Sequence, residues 1–281
     1  MVGSKTSFLN GTEVLIKQCP EYFNRLKQAA KRVVKLKLKL DCTTTPCLVR
    51  KNLPLVGNDD DVAAALELAR ESIVLLQNDN DTLPLVPSAT VFVTGHSADS
   101  VGNQCGGWSK RGSGLYGHDD KFFHGVSVKA GLETIAGNNT VKYFNGLHSN
   151  GTYSAEDLDT AMKLASEAEY TVAVIGEDGF VERTGDITDM SLPQGQIDYV
   201  IKRASTGTMV ILVLFEGRPR LVGSLPITVH AVINGLLAGE QAGKAVAEII
   251  YGLTNPSGRM PITYPKNAAG VVIPYNHRVT T

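Results

Sequence analysis

Residues Val174–Gln196 read VIGEDGFVERTGDITDMSLPQGQ. The short apolar run Tyr170–Ile175 that leads into them has the β-branched character of a buried strand. It breaks at Gly176 into a loop holding Glu177, Asp178, Glu182, Asp186 and Asp189, with Arg183 the one basic residue among them. Leu192-Pro193 and a glutamine-bearing helix start close the loop. In an α/β protein, ligands bind beyond the carboxyl ends of the strands, so a strand that empties into carboxylates is a natural seat for acid/base chemistry. A surface loop can also be acidic simply to stay solvated, and the flanking sequence decides between the two.

Upstream, the pattern alternates. A helix capped by Asn58 or Asp59 runs through Asp61–Leu76, with apolar positions 62, 65, 66, 69, 73 and 76 on one face. A strand over Thr90–Thr94 ends in the loop Gly95-His96-Ser97-Ala98-Asp99, and a glycine-rich segment spans Gly102–Gly117. A helix over Val126–Ile135, a strand over Thr140–Phe144 and a helix over Ala155–Ala168 lead to the acidic stretch. Downstream come a helix over Gly195–Ala204, strands over Met209–Phe215 and Ile227–Ile233, and a helix over Ala242–Tyr251. Short β-branched runs alternating with helices predict βαβ units. The fold class is α/β, with a mostly parallel sheet and helices on both faces, a three-layer α/β/α sandwich over residues 59–281. Residues 1–58 read differently. Glu21–Leu40 is rich in helix formers, the run Lys35–Leu40 alternates Lys and Leu to give one apolar and one solvated face, and Asp41–Asn58, with Pro46, Pro54 and Gly57, reads as a linker.

The chain has 281 residues, 43% hydrophobic and 20% charged, with a net charge of −1. That is the composition of an ordinary globular protein, and it favours neither nucleic acid nor an acidic membrane surface as a partner. No apolar run approaches the roughly 20 residues that span a bilayer, and the first residues lack the apolar core of a secretory signal. Asn10, Asn80, Asn138 and Asn150 each begin an Asn-x-Thr sequon, usable only in an exported chain. Among the four cysteines, Cys42 and Cys47 are close enough for a small disulfide loop, and buried or incidental thiols fit equally.

The lone tryptophan, Trp108, sits in Gln104-Cys105-Gly106-Gly107-Trp108. A Trp framed by glycines suits a flat apolar wall for a ring-shaped ligand such as a sugar, or it packs its own loop down. Crowded carboxylates raise one another's pKa, as a general acid for a glycosidic oxygen requires. Glycoside hydrolysis needs two carboxylates on opposite sides of the bond, about 5–5.5 Å apart in retaining enzymes. One loop does not easily supply both. No GxGxxG, Walker or GxSxG motif occurs, and no His/Cys/Asp group has metal spacing, so the expectation is no cofactor and no metal. His96, His118 and His124 are scattered and read as structural or solvated.

Several segments, in unbroken order from Asp59 to Pro265, resemble glycoside hydrolase family 3 in its C-terminal α/β sandwich domain. They are Ala69–Asn78 with Thr82–Leu85, Gly95–Asp99, Gln104–Trp108, Gly176–Asp186 with Leu192-Pro193 and Gln196, Glu216-Gly217-Arg218-Pro219, and Ser257–Pro261 with Thr263–Pro265. Residues 21–45 resemble the end of the family's preceding (β/α)8 barrel. The resemblance implies a β-glucosidase-like, exo-acting retaining glycosidase that takes β-glucosides or β-linked oligosaccharides, is secreted, and draws its aspartate nucleophile from the barrel, commonly in a Ser-Asp-Trp context that does not occur here. This chain would then be the C-terminal part and inactive alone. The resemblance makes Glu182 the first choice for acid/base, with Glu177 second, and puts Trp108 beside the sugar. The sequence departs at Gly112, where many members carry a second Trp, and at Glu216, where a small residue is usual. Alternatives are a sugar-binding or interaction module without hydrolysis, or a truncated gene product.

Overall fold

The computed structural model describes residues 4–42, 50–109, 122–137, 139–180 and 185–267. The chain divides into two compact units, residues 1–58 and residues 59–281.

In the first unit, α1 (Lys5–Gln18) is capped by Ser4, whose hydroxyl accepts from Ser7 N at 3.2 Å, and a short 3-10 turn leads to α2 (Phe23–Lys39). The Lys-Leu alternation at 35–40 does not act as a two-faced ribbon. Lys and Leu are strong helix formers, and in a helix residues two apart point nearly opposite ways. Leu36, Leu38 and Leu40 are therefore spread around the helix end, each more than half exposed.

The second unit carries a six-stranded sheet in the order β1-β6-β5-β4-β2-β3, formed by β1 (Val74–Asn78), β2 (Val91–Thr94), β3 (Val141–Tyr143), β4 (Tyr170–Gly176), β5 (Met209–Phe215) and β6 (Ala231–Asn234). All pairings are parallel except β1 with β6. Two boundaries differ from the sequence reading. The helix read through Leu76 stops at Ser72 as α3 (Asp59–Ser72), and residues 74–78 instead form the antiparallel edge strand, with Val74 opposite Asn234. Tertiary pairing overrides helical periodicity here, because Val74-Leu75-Leu76 suits a strand as well as a helix. The strand read from Ile227 begins only at Ala231. Residues Leu225–Thr228 form a helical turn, α8, with Pro226 in its first turn, where a fixed φ and a missing N–H cost least.

The remaining helices are α4 (Val101–Cys105), α5 (Val128–Ala136), α6 (Ala155–Ser166), α7 (Gln194–Ala204) and α9 (Ala242–Ile250). Strand alternation divides the core. Val172, Val174, Ile211, Val213 and Phe215 pack with α3, α5 and α9, whereas Ala173, Ile175, Val210, Leu212 and Leu214 pack with α6, α7 and α8. This is the three-layer α/β/α sandwich. Arg70 on α3 grips Glu248 on α9 in two parallel hydrogen bonds of 2.7 and 2.9 Å, locking two helices of one layer together.

The chain leaves β2 for β3 at the sheet edge, then crosses back to β4 on the other side of β2. Strand order therefore reverses between β2 and β4. The crevice outside their carboxyl ends is the topological switch point, where open α/β sheets place their ligands.

Candidate active site

Two glycines end the strands that flank this crevice. Gly176 has φ +139°, and a Cβ there would stand 2.0 Å from the Phe215 carbonyl oxygen. Gly95 has φ +101°, and a Cβ there would stand 2.2 Å from the Val174 carbonyl oxygen. Only a residue without a side chain lets the backbone turn out of the sheet at these points. Gln196, fully buried in the first turns of α7, fixes the turn at Gly176. Its Oε1 accepts from Gly176 N at 3.2 Å, and its Nε2 donates to the Gly176 carbonyl at 3.1 Å.

Glu177 lies at the floor of the crevice with its side chain 7% exposed. Its Oε1 accepts from Arg218 Nε at 2.9 Å, from Arg220 Nη1 at 2.7 Å and from Arg218 Nη2. The same two guanidiniums reach the far side of the acidic loop. Arg218 Nη1 donates to the Gly185 carbonyl, and Arg220 Nη2 donates to the Ser191 carbonyl. The exit of the loop is pinned to the segment after β5, with Leu192 N donating to Leu221 O at 3.0 Å and Leu221 N to Met190 O at 2.8 Å. Read alone, the loop has one basic residue. Among the described residues, the positive charge that meets its Glu177 comes from Arg218 and Arg220, about 40 residues further on. The Arg-x-Arg spacing after a strand was the available signal, but sequence does not say which strand ends are neighbours.

The acidic loop and the tryptophan loop meet. A Cβ on Gly179 would lie 3.4 Å from the backbone of Gly106 and Gly107. Leu237, from the loop after β6, packs under both Gly106 and Gly217, and Arg218 stacks at 3.5 Å over the Phe180 ring. The tryptophan loop is held from below. Gln104, fully buried, donates from Nε2 to Val126 O at 3.1 Å, and its backbone carbonyl accepts from Gly239 N at 3.2 Å. Trp108 itself is 62% exposed and adopts φ +59°. A left-handed backbone is uncommon for a bulky residue, and here it coincides with a ring left in solvent.

Other titratable groups gather here. Burial raises the Asp178 carboxyl above its usual range, and the Glu177 charge adds to the effect. Glu216, one residue past β5, is fully buried, and burial pushes it up to about 8. Tyr264 reaches in from the C-terminal segment, its hydroxyl accepting from Asn234 Nδ2 at 3.0 Å, and burial raises its pKa. Burial also drives His96, in the loop after β2, down to about 4. Asp186 and Asp189 are exposed, and the Ser191 backbone N–H holds Asp189 below its usual range. Glu182 lies outside the described residues, as does Cys47, so the Cys42–Cys47 disulfide reading does too. Among the described residues no group of three His, Cys, Asp or Glu side chains is placed to hold a metal ion, and no helix is long and apolar enough to cross a membrane.

A doubly wound α/β domain whose switch point carries an anchored carboxylate loop against an exposed tryptophan is the class that the fold and site define. The chain belongs to glycosyl hydrolase family 3: the Glycosyl hydrolase family 3 C-terminal domain matches residues 73–280. It is 36% identical to a "Lysosomal beta glucosidase" of Dictyostelium discoideum over 264 residues, covering 91% of this chain and 32% of that protein. It is 31% identical to a "Periplasmic beta-glucosidase" of Salmonella typhimurium over 234 residues, 76% of this chain and 30% of that one. The fold is shared with a Listeria innocua β-glucosidase solved in complex with isofagomine, at TM-score 0.77 and 26% identity, over 95% of this chain and 36% of the other. The chain thus spans about a third of the length of the relatives it matches.

Proposed function

We propose that this chain is the C-terminal part of an exo-acting retaining β-glycosidase that takes β-glucosides or β-linked oligosaccharides and supplies the acid/base loop and one wall of the sugar subsite. The observation that carries the reading is the contact between the acidic loop and the Trp108 loop at the switch point. It sets a carboxylate-rich segment next to an exposed aromatic face. Glu182 then protonates the departing glycosidic oxygen and afterwards takes a proton from the attacking water, while an aspartate of a barrel domain forms the glycosyl-enzyme. Glu177, the second acid/base choice, is already engaged by two guanidiniums. Its contacts suit a residue that braces the loop better than one that shuttles protons.

Residues 1–58 are proposed to be the tail of that barrel and the crossing to the sandwich. An exported compartment is proposed on two grounds: relatives named as lysosomal and periplasmic proteins, and the exposed sequon asparagines Asn10, Asn80 and Asn150.

The test is complementation. Residues 1–281 alone should release no glucose from a β-glucoside, and the same residues joined to a family 3 barrel should do so. General acid–base groups contribute roughly 10²–10⁴ in rate, so Glu182→Gln in the joined protein should cost that much on an alkyl glucoside. Full activity in that variant sinks the role given to Glu182. If the joined protein never hydrolyses but the fluorescence of Trp108, the lone tryptophan of residues 1–281, responds to glucose in that chain alone, the sugar-binding module is the better account.

A further inference from the structure

Glu216 has no part in the chemistry above. It is fully buried, and among the described residues neither of its carboxyl oxygens makes a well-formed hydrogen bond, the Tyr264 hydroxyl being only a weak donor alongside it. Its neighbour is Glu177. Gly176 and Phe215 form the last pair of the parallel β4–β5 ladder, so Glu177 and Glu216 occupy the next rung, and Glu177 N donates to the Phe215 carbonyl at 2.8 Å. Glu177 is half satisfied: Oε1 carries both arginines, and Oε2 is buried with no partner among the described residues. Two buried carboxyls on one rung at the end of the ladder repel each other when both are charged, and the Glu177 charge favours the protonated form of Glu216. A single proton between them removes the repulsion.

We propose that Glu216 is a carboxylic acid that donates its proton to Oε2 of Glu177, and that this carboxyl–carboxylate pair positions the acidic loop by keeping Glu177 turned toward Arg218 and Arg220. Three groups around Glu216 bear on its proton. Glu177 after β4 favours retaining it, Arg220 after β5 favours losing it, and Tyr264 of the C-terminal segment, itself held by Asn234 of β6, also favours losing it. Burial is the largest influence and keeps the proton on to about pH 8. Above that, a second charge on Glu216 competes with Glu177 for Arg220, whose other terminal nitrogen holds the Ser191 carbonyl. Glu216 is thus a positioning residue with a built-in alkaline limit. The pair is a property of the fold, and it stands whether or not the chain takes part in glycoside hydrolysis.

The test is infrared spectroscopy of residues 1–281 across pH 5–10, comparing wild type with Glu216→Gln and Glu177→Gln. The expected result is a protonated-carboxyl C=O band at pH 7 that is missing from Glu216→Gln and fades in wild type with a midpoint near 8. The band should also shift in Glu177→Gln, where an amide replaces the accepting carboxylate. A Glu216→Gln spectrum that keeps the whole band overturns the proposal, and so does a band that Glu177→Gln leaves unmoved. Should Glu177→Gln fail to fold, carbon-13 NMR of labelled glutamate in the wild type decides. A shared proton moves both carboxyl resonances in one titration, whereas a Glu216 signal that titrates with Glu177 still is evidence against the pair.

Discussion

Arg220 donates to Glu177 Oε1 at 2.7 Å while its other terminal nitrogen holds the Ser191 carbonyl, so one buried guanidinium ties the floor of the crevice to the exit of the acidic loop. Both partners are nearly solvent-free, with side chains 10% and 7% exposed. Removing one member of such a pair leaves the other charged and buried, which typically costs about 3–5 kcal/mol. Glu177→Ala should therefore lower the urea midpoint far more than Asp186→Ala, an exposed acidic residue of the same loop. Equal, small losses in the two variants would mean that Glu177 is not the anchor.

Gly176 and Gly207 both have positive φ, +139° and +91°, but only Gly176 is crowded. Gly207→Ala meets nothing within 4 Å and should cost only backbone strain, about 1–3 kcal/mol. Gly176→Ala adds a collision with the Phe215 carbonyl and should prevent folding or cost clearly more. Thermal melts of the two variants side by side check this.

His96 and Glu216 give opposite pH slopes. His96 stays neutral in the fold down to about 4, whereas the unfolded histidine takes a proton near 6.5, so stability falls as pH drops through that window. Glu216 keeps its proton in the fold up to about 8, whereas the unfolded glutamate loses it near 4.5, so stability falls as pH rises between those values. Each slope approaches about 1.4 kcal/mol per pH unit. Glu216→Gln should flatten the alkaline decline and His96→Gln the acidic one, read as urea midpoints at a series of pH values. Curves that stay parallel to wild type would remove either residue from the account.

The strand-and-helix alternation from Thr90 to Tyr251 was largely legible because most short β-branched runs are bounded by a glycine or a polar turn, as the buried strands of a parallel sheet are. Two elements were misread for the same reason. Val74–Asn78 and the residues before Ala231 are short apolar runs whose state depends on what they pair with, and β1 becomes a strand only because β6 offers an antiparallel edge. The site was legible to a similar depth. The carboxylates and Trp108 stand out by residue type and glycine context. Glu216 gains its meaning from the rung it shares with Glu177, and Arg218 and Arg220 from following it beyond the end of the strand beside β4, relations set by strand order and not by distance along the chain.

Trp108 is exposed enough that its truncation should leave the fold intact. Trp108→Ala is expected to change stability by less than about 0.5 kcal/mol. In the barrel-joined protein it should weaken sugar binding and raise KM. A large loss of stability instead would make Trp108 a packing residue of its own loop.

The alternation along the central strands has a consequence for how the domain tolerates change. Val172 and Leu212 sit on neighbouring strands but belong to different clusters, one beneath α3, α5 and α9 and the other beneath α6, α7 and α8. The sheet backbone is a partition between two compartments that share few side-chain neighbours. Truncations on opposite sides should add to within about 0.5 kcal/mol. Each compartment can then be repacked by successive substitutions without disturbing its counterpart, and the loops at the switch point, rooted in the partition itself, are insulated from drift on either side.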